Sequence, residues 1–135
     1  TARNERVFAV TPVGFTEKEF SPGERVQTAF GMFHRRKPLS ELVSGLESNK
    51  WPDWVKSAVE AARLAPSAIN RQPWRFHVEP SSITVSVDSS FLEWGISKRL
   101  DCGIAMIHIE VAALDSGVKG RWELLKTPKI ARFIV

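Results

Sequence analysis

The amino-acid sequence predicts an α+β fold in which helices pack on a mixed or antiparallel sheet. Two long segments repeat apolar residues every three or four positions, and two short segments alternate apolar with polar residues. Turn-forming proline, glycine and serine separate these segments. Of the 135 residues, 43% are hydrophobic and 25% are charged, which is typical of one globular domain. No apolar run reaches the ~20 residues that a membrane-spanning helix needs.

The first elements lie in a polar N-terminal stretch. The Val- and Phe-rich segment Arg6–Gly14 predicts a strand, and Val26–Phe33 predicts a short helix. A basic run, His34–Lys37, ends at Pro38, and a second short helix is expected within Leu39–Gly45.

The segment Asn49–Ala65 predicts a longer helix. Pro52 suits the first helical position, Asp53 favours the positive end of the helix dipole, and Pro66 ends the helix. One face collects the apolar residues Trp54, Val55, Ala58, Val59 and Ala62. An irregular loop runs from Pro66 to Pro73.

Two strands and a long helix follow the loop. Residues 74–79 and 83–88 alternate apolar and polar residues around Pro80–Ser82, which predicts a hairpin with one buried face. Ser97 is expected to cap a helix that ends near Asp115, before Gly117. Because this helix carries two apolar stripes, we expect it to be covered on two sides. The first stripe holds Leu100, Ile104, Ile107, Val111 and Leu114, and the second holds Ala105, Ile109 and Ala112. Arg121–Leu125 and Arg132–Val135 are predicted strands.

Charge and cysteine content exclude some classes of protein. The net charge of +4 is spread among interleaved acidic residues, so it does not indicate a nucleic-acid-binding surface. Cys102 is the single cysteine, which fits a reducing compartment, and we expect a cytoplasmic protein and a core role for this thiol. The three histidines are scattered, so no metal site is predicted. No P-loop, Gly-x-Gly-x-x-Gly or Gly-x-Ser-x-Gly motif occurs.

The loop Ala65–Phe76, APSAINRQPWRF, carries the functional inference. Its prolines restrict the backbone at both ends, and Ser67, Asn70 and Gln72 lie between them. A carboxamide offers a donor and an acceptor, so it can match the pyrimidine edge of an isoalloxazine without burying a charge. The alternative is that these side chains only satisfy nearby backbone groups.

This segment resembles the flavin-contacting loop of the nitroreductase superfamily, Ala-Pro-Ser-x-x-Asn-x-Gln-Pro-Trp. The resemblance implies FMN as the cofactor and NAD(P)H as the reductant, with nitroaromatic or quinone-like acceptors. It also implies that no side chain is itself catalytic. By the same resemblance the flavin contacts are Pro66, Ser67, Ala68, Asn70 and Gln72.

A second block, Val10–Gly14 followed by Arg36–Leu42, resembles the segment that closes the chain of ordinary nitroreductases. The resemblance places Arg36 on the FMN phosphate, with a solvated basic turn as the alternative. Because this block comes first here, the chain resembles the C-terminal part of a divergent subgroup with longer chains. We expect one nitroreductase-like domain over residues 1–135, with the closing block in 1–45 and the flavin loop in 46–135.

The superfamily's Arg-Arg-Ser-x-Arg block is missing from this sequence. We therefore expect an upstream segment or a partner chain to complete the flavin site, giving a dimer or pseudo-dimer. The alternative is a remnant that no longer binds flavin. Arg71 or Arg75 is hypothesised to supply positive charge near the reduced ring. Two other functions remain open: a flavin-binding protein without turnover, and a basic module that binds nucleic acid or protein.

Overall fold

The computed structural model describes residues 35–90 and 96–135. The predicted strand Arg6–Gly14 and helix Val26–Phe33 lie outside these ranges. The helices are α1 (Leu39–Leu42), α2 (Asp53–Leu64) and α3 (Lys98–Asp115), and the strands are β1 (Val43–Gly45), β2 (Trp74–Glu79), β3 (Ser82–Val87), β4 (Arg121–Leu124) and β5 (Lys129–Ile134). Among these described residues no helix is both long and apolar enough to cross a bilayer.

The strands form one mixed sheet in the order β1-β2-β3-β5-β4. β1 runs parallel to β2, and the other neighbours are antiparallel. This arrangement confirms the predicted α+β class. The short helix expected within Leu39–Gly45 is only partly right, because α1 ends at Leu42 and the chain continues as β1.

The predicted hairpin forms, with Phe76 opposite Val85 and a turn at Pro80 and Ser81. β2 alternates buried and more exposed residues, as expected. The single buried face is wrong for the first half of β3, where residues 82–85 are all buried. β3 lies between β2 and β5, and Arg132 from β5 donates a 3.3 Å hydrogen bond to Thr84 on the polar face.

The helix α2 is shorter than predicted, because Ser48–Lys50 forms a separate 3-10 turn. Pro52 precedes the helix instead of occupying its first position. The five predicted apolar residues are all buried. Ala65 leaves the helix in an extended conformation, since a residue before proline is disfavoured in the α region.

The helix α3 has the predicted ends: the Ser97 hydroxyl accepts a hydrogen bond from the backbone of Arg99, and Gly117 has a φ of 77°. Its buried side packs against α2 and the sheet through Cys102, Ala105, Ile109 and Ala113. The expectation that both apolar stripes are covered is wrong for the described residues. Leu100, Ile107, Val111 and Leu114 are 48%, 56%, 60% and 49% exposed.

Candidate functional site

The loop between α2 and β2 has an unusual backbone. Ala68–Asn70 forms a 3-10 turn, and Ile69, Asn70 and Gln72 have φ angles of 47°, 55° and 47°. The left-handed region costs an L-residue roughly 1–2 kcal/mol, and the cost is most evident for a β-branched side chain such as Ile69. Such a conformation persists only where neighbouring groups fix it.

Some of the groups that hold this backbone conformation lie within the loop itself. The Ser67 hydroxyl accepts a 2.9 Å hydrogen bond from the backbone N–H of Gln72. The carbonyl groups of Ser67 and Ala68 accept from the backbone N–H groups of Asn70 and Arg71. Ser67 therefore closes the loop on itself.

Other groups that hold this backbone conformation belong to residues 35–37, more than thirty positions earlier in the sequence. The Lys37 N–H donates to the Gln72 carboxamide oxygen at 2.8 Å, and the Asn70 and Gln72 amide groups donate to the Arg35 carbonyl at 2.8 and 3.0 Å. The Arg36 guanidinium donates to Asn70 Oδ1 and to the Leu64 carbonyl at the end of α2. The fold thus joins the two blocks that the sequence singled out.

An open cleft of ≈ 390 Å³ lies where these blocks meet. Its lining combines three cationic residues, one carboxylate and two carboxamides, and consists of Arg35, Arg36, Lys37, Pro38, Glu41, Asn70 and Gln72. Glu41 is half exposed and lies 3.8 Å from Lys37 Nζ. The cleft therefore keeps an excess of positive charge, which suits an anionic ligand group.

The predicted site residues divide into two sets. Arg36, Asn70 and Gln72 line the cleft. Pro66, Ser67 and Ala68 are not among its lining residues, and the Ser67 hydroxyl and the Ala68 N–H are engaged elsewhere. A contact of these three residues with flavin stays a prediction.

Arg71 and Arg75 each face a carboxylate. Arg71 Nε donates to Asp101 Oδ2 at 2.6 Å, and Arg75 Nη2 lies 3.9 Å from Asp88 Oδ2. Neither arginine lines the cleft. The cleft's positive charge comes instead from residues 35–37, so the hypothesis for Arg71 and Arg75 receives no support from the geometry.

Asp101 is the residue that sequence reasoning missed. It is 2% exposed in the first turn of α3, and its carboxylate accepts from the Ala68 N–H at 3.1 Å as well as from Arg71. A single carboxylate in a predicted helix indicates no more than solvation or an ion pair. No local pattern in the sequence connects Asp101 with a loop thirty residues earlier.

Cys102 is fully buried beside Asp101, which confirms the predicted core role. Burial, together with the negative charges of Asp101 and Asp88, raises the pKa of the Cys102 thiol to about 12. Because a thiol is nucleophilic as the thiolate, Cys102 is unreactive near neutral pH.

The mixed sheet, the long helix and the amide-bearing loop beside a cationic segment define an α+β protein of the nitroreductase fold. The chain belongs to the family described as "Putative TM nitroreductase", whose model matches residues 1–113. A crystal structure of a putative nitroreductase from Thermotoga maritima MSB8 superposes with a TM-score of 0.60 at 23% identity. That superposition covers 74% of this chain and 42% of the solved one.

Two curated relatives are named "Putative NAD(P)H nitroreductase acg", from Mycobacterium tuberculosis strains CDC 1551 / Oshkosh and ATCC 25618 / H37Rv. Each is 32% identical over an 81-residue alignment that covers 56% of this chain and 24% of the relative. The chain therefore matches about a quarter of the length of these relatives.

Proposed function

We propose that the full-length protein is an FMN-dependent oxidoreductase that passes a hydride from NAD(P)H, via flavin, to nitroaromatic or quinone-like acceptors. One observation carries the proposal: Asn70 and Gln72 meet Arg36 at a single cleft, although they come from separate blocks of the chain. Membership of the nitroreductase family and the names of the curated relatives support it.

The chemistry of the cleft fits FMN. The planar fork of Arg36 matches a phosphate group, and Lys37 adds a second positive charge. Asn70 and Gln72 carry both donors and acceptors, as the pyrimidine edge of the ring does. Their present partners include groups of residues 35–37, so we expect ring binding to exchange some of these hydrogen bonds.

Bound FMN supplies the hydride chemistry, as cofactors generally do, and the protein supplies binding, orientation and electrostatics. Arg36 and Lys37 hold the anionic end of the ligand in the cleft. Asn70 and Gln72 orient the ring edge without adding a charge beside it. The hydrogen bond from Gln72 N–H to Ser67 keeps the loop in shape, so less ordering is needed on binding.

The exposed face of α3 supports an upstream segment or partner chain as the second half of the site. The four exposed residues Leu100, Ile107, Val111 and Leu114 recur at spacings of seven, four and three residues and form one apolar stripe. A contiguous exposed apolar surface commonly marks an interface. We propose that residues 1–135 form one nitroreductase-like unit of a dimer or pseudo-dimer, with the closing block in 1–45 and the flavin loop in 46–135.

The test is a spectroscopic assay of the purified full-length protein. We expect a flavin absorption spectrum that NADPH or NADH bleaches under anaerobic conditions and that a nitroaromatic compound restores. If NADPH or NADH bleaches the flavin spectrum and neither nitro nor quinone compounds restore it, the protein binds flavin but has another function. A colourless protein that binds duplex DNA in a salt-sensitive manner would contradict the proposal.

The variant Arg36→Ala tests the cleft directly. A hydrogen bond to a charged group contributes about 1.5–3 kcal/mol, so we expect FMN to bind about 10- to 100-fold more weakly. Arg121→Ala is the control, because Arg121 is exposed on the edge strand β4. Equal FMN affinity in the wild type and in both variants would remove Arg36 from the site.

A further inference from the structure

The left-handed residues of the flavin loop need support from outside the loop. Hydrogen bonds within the loop join Gln72 and Asn70 to Ser67 and join Arg71 to Ala68. From α3, one carboxylate adds contacts to this turn, that of Asp101. Its two oxygens reach the residues on either side of Ile69 and Asn70, since Oδ1 accepts from Ala68 N and Oδ2 accepts from Arg71 Nε.

This contact is buried and charged. The side chains of Asp101 and Arg71 are 3% and 10% exposed, and a second guanidinium nitrogen donates to the Ile96 carbonyl at 2.7 Å. Asp101 also lies in the first turn of α3, where the helix dipole favours a negative charge. Removal of one partner would leave the other charge buried and uncompensated.

A second buried pair starts from the same turn of α3, and its side chains do not contact the turn at residues 67–72; only the Asp88 N–H reaches the end of the loop, at the Pro73 carbonyl. Lys98 Nζ donates to Asp88 Oδ1 at 2.8 Å and to the Ser90 hydroxyl at 2.7 Å. The side chains of Lys98 and Asp88 are 5% and 12% exposed. The two pairs are matched in burial, and each has one member in the first turn of α3, so their comparison separates general stability from an effect on the loop.

We propose that Asp101 is a positioning residue for the flavin: through Ala68 and Arg71 it fixes the turn that presents Asn70 and Gln72 to the cleft. This inference rests on the proposed function. Asp101 does not line the cleft, so its effect on a ligand passes through the backbone of the loop. Preorganised groups bind more tightly because their ordering cost is already met in the free protein.

The experiment compares Asp101→Asn with Asp88→Asn in the full-length protein, with FMN as the probe. For Asp101→Asn we expect FMN affinity to fall about tenfold or more, with an altered visible circular dichroism spectrum of the bound flavin. Asp88→Asn should lower the urea midpoint but leave FMN affinity within about twofold. Asp101→Glu keeps the carboxylate and should recover most of the affinity and the spectrum.

Wild-type FMN affinity and spectrum in Asp101→Asn would overturn the role of Asp101, and so would equal losses in the two asparagine variants. If Asp101→Asn does not fold, Arg71→Met/Asp101→Leu removes both buried charges and keeps side-chain volume. The double variant should show the same loss of affinity, and wild-type binding by it would overturn the role. Wild-type protein that binds no FMN would overturn the proposed function itself, and with it this inference.

Discussion

The proposed flavin loop, residues 65–73, and the β2–β3 hairpin that follows it are adjacent in sequence but are held by different forces. The hairpin keeps its register through alternating apolar residues whose own side chains fill the core. The loop is left-handed at Ile69, Asn70 and Gln72 and is held by polar contacts from residues 35–37 and from Asp101. The local pattern of apolar and polar residues therefore specifies the hairpin, whereas polar groups that are distant in sequence specify the loop.

The largest difference in stability that we expect between these two regions appears when one isoleucine in each is replaced by alanine. Ile83 in β3 is 0% exposed and Ile69 in the loop is 55% exposed. Because Ile83→Ala leaves a cavity in the core, we expect it to lower the free energy of unfolding by about 2–5 kcal/mol. Ile69→Ala should change it by less than about 1 kcal/mol. Urea denaturation measures both, and similar losses would contradict the contrast.

The hydrogen bond that closes the loop gives a smaller effect. Ser67→Ala removes the acceptor of the Gln72 N–H, and Gln72 is 3% exposed. An unsatisfied buried donor costs about 1–3 kcal/mol, so we expect a loss of that size in the free energy of unfolding. Ser57→Ala, at an exposed position of α2, is the control and should stay within about 0.5 kcal/mol. A Ser67→Ala variant as stable as this control would show that the hydrogen bond does not hold the loop.

The smallest change that we expect in the free energy of unfolding is a gain in stability, of Ile69→Gly relative to Ile69→Ala. Glycine adopts the left-handed region without steric cost, so Ile69→Gly relieves roughly 1–2 kcal/mol of strain. Glycine also loses about 0.5–1 kcal/mol through its greater freedom in the unfolded chain. We therefore expect Ile69→Gly to be more stable than Ile69→Ala by up to about 1 kcal/mol in urea denaturation. A less stable glycine variant would mean that residue 69 is not left-handed in solution.

The same contrast explains what the sequence could predict. The buried face of α2, both ends of α3 and the hairpin follow from periodicity and capping, which are local. The family resemblance assigned Arg36 and Asn70 to different parts of one cofactor, and in the structure their side chains are in contact. The role of Asp101 in the loop and the exposed stripe of α3 could not be predicted, because contacts between distant residues leave no local pattern.

Hydrogen–deuterium exchange of the full-length protein, with and without FMN, tests the placement of the flavin at this loop. We expect FMN to slow exchange in residues 66–73 and in residues 35–38, while exchange in the hairpin, residues 74–87, stays unchanged. FMN that binds without protecting residues 66–73, or that protects the hairpin instead, would contradict the placement of the flavin at this loop.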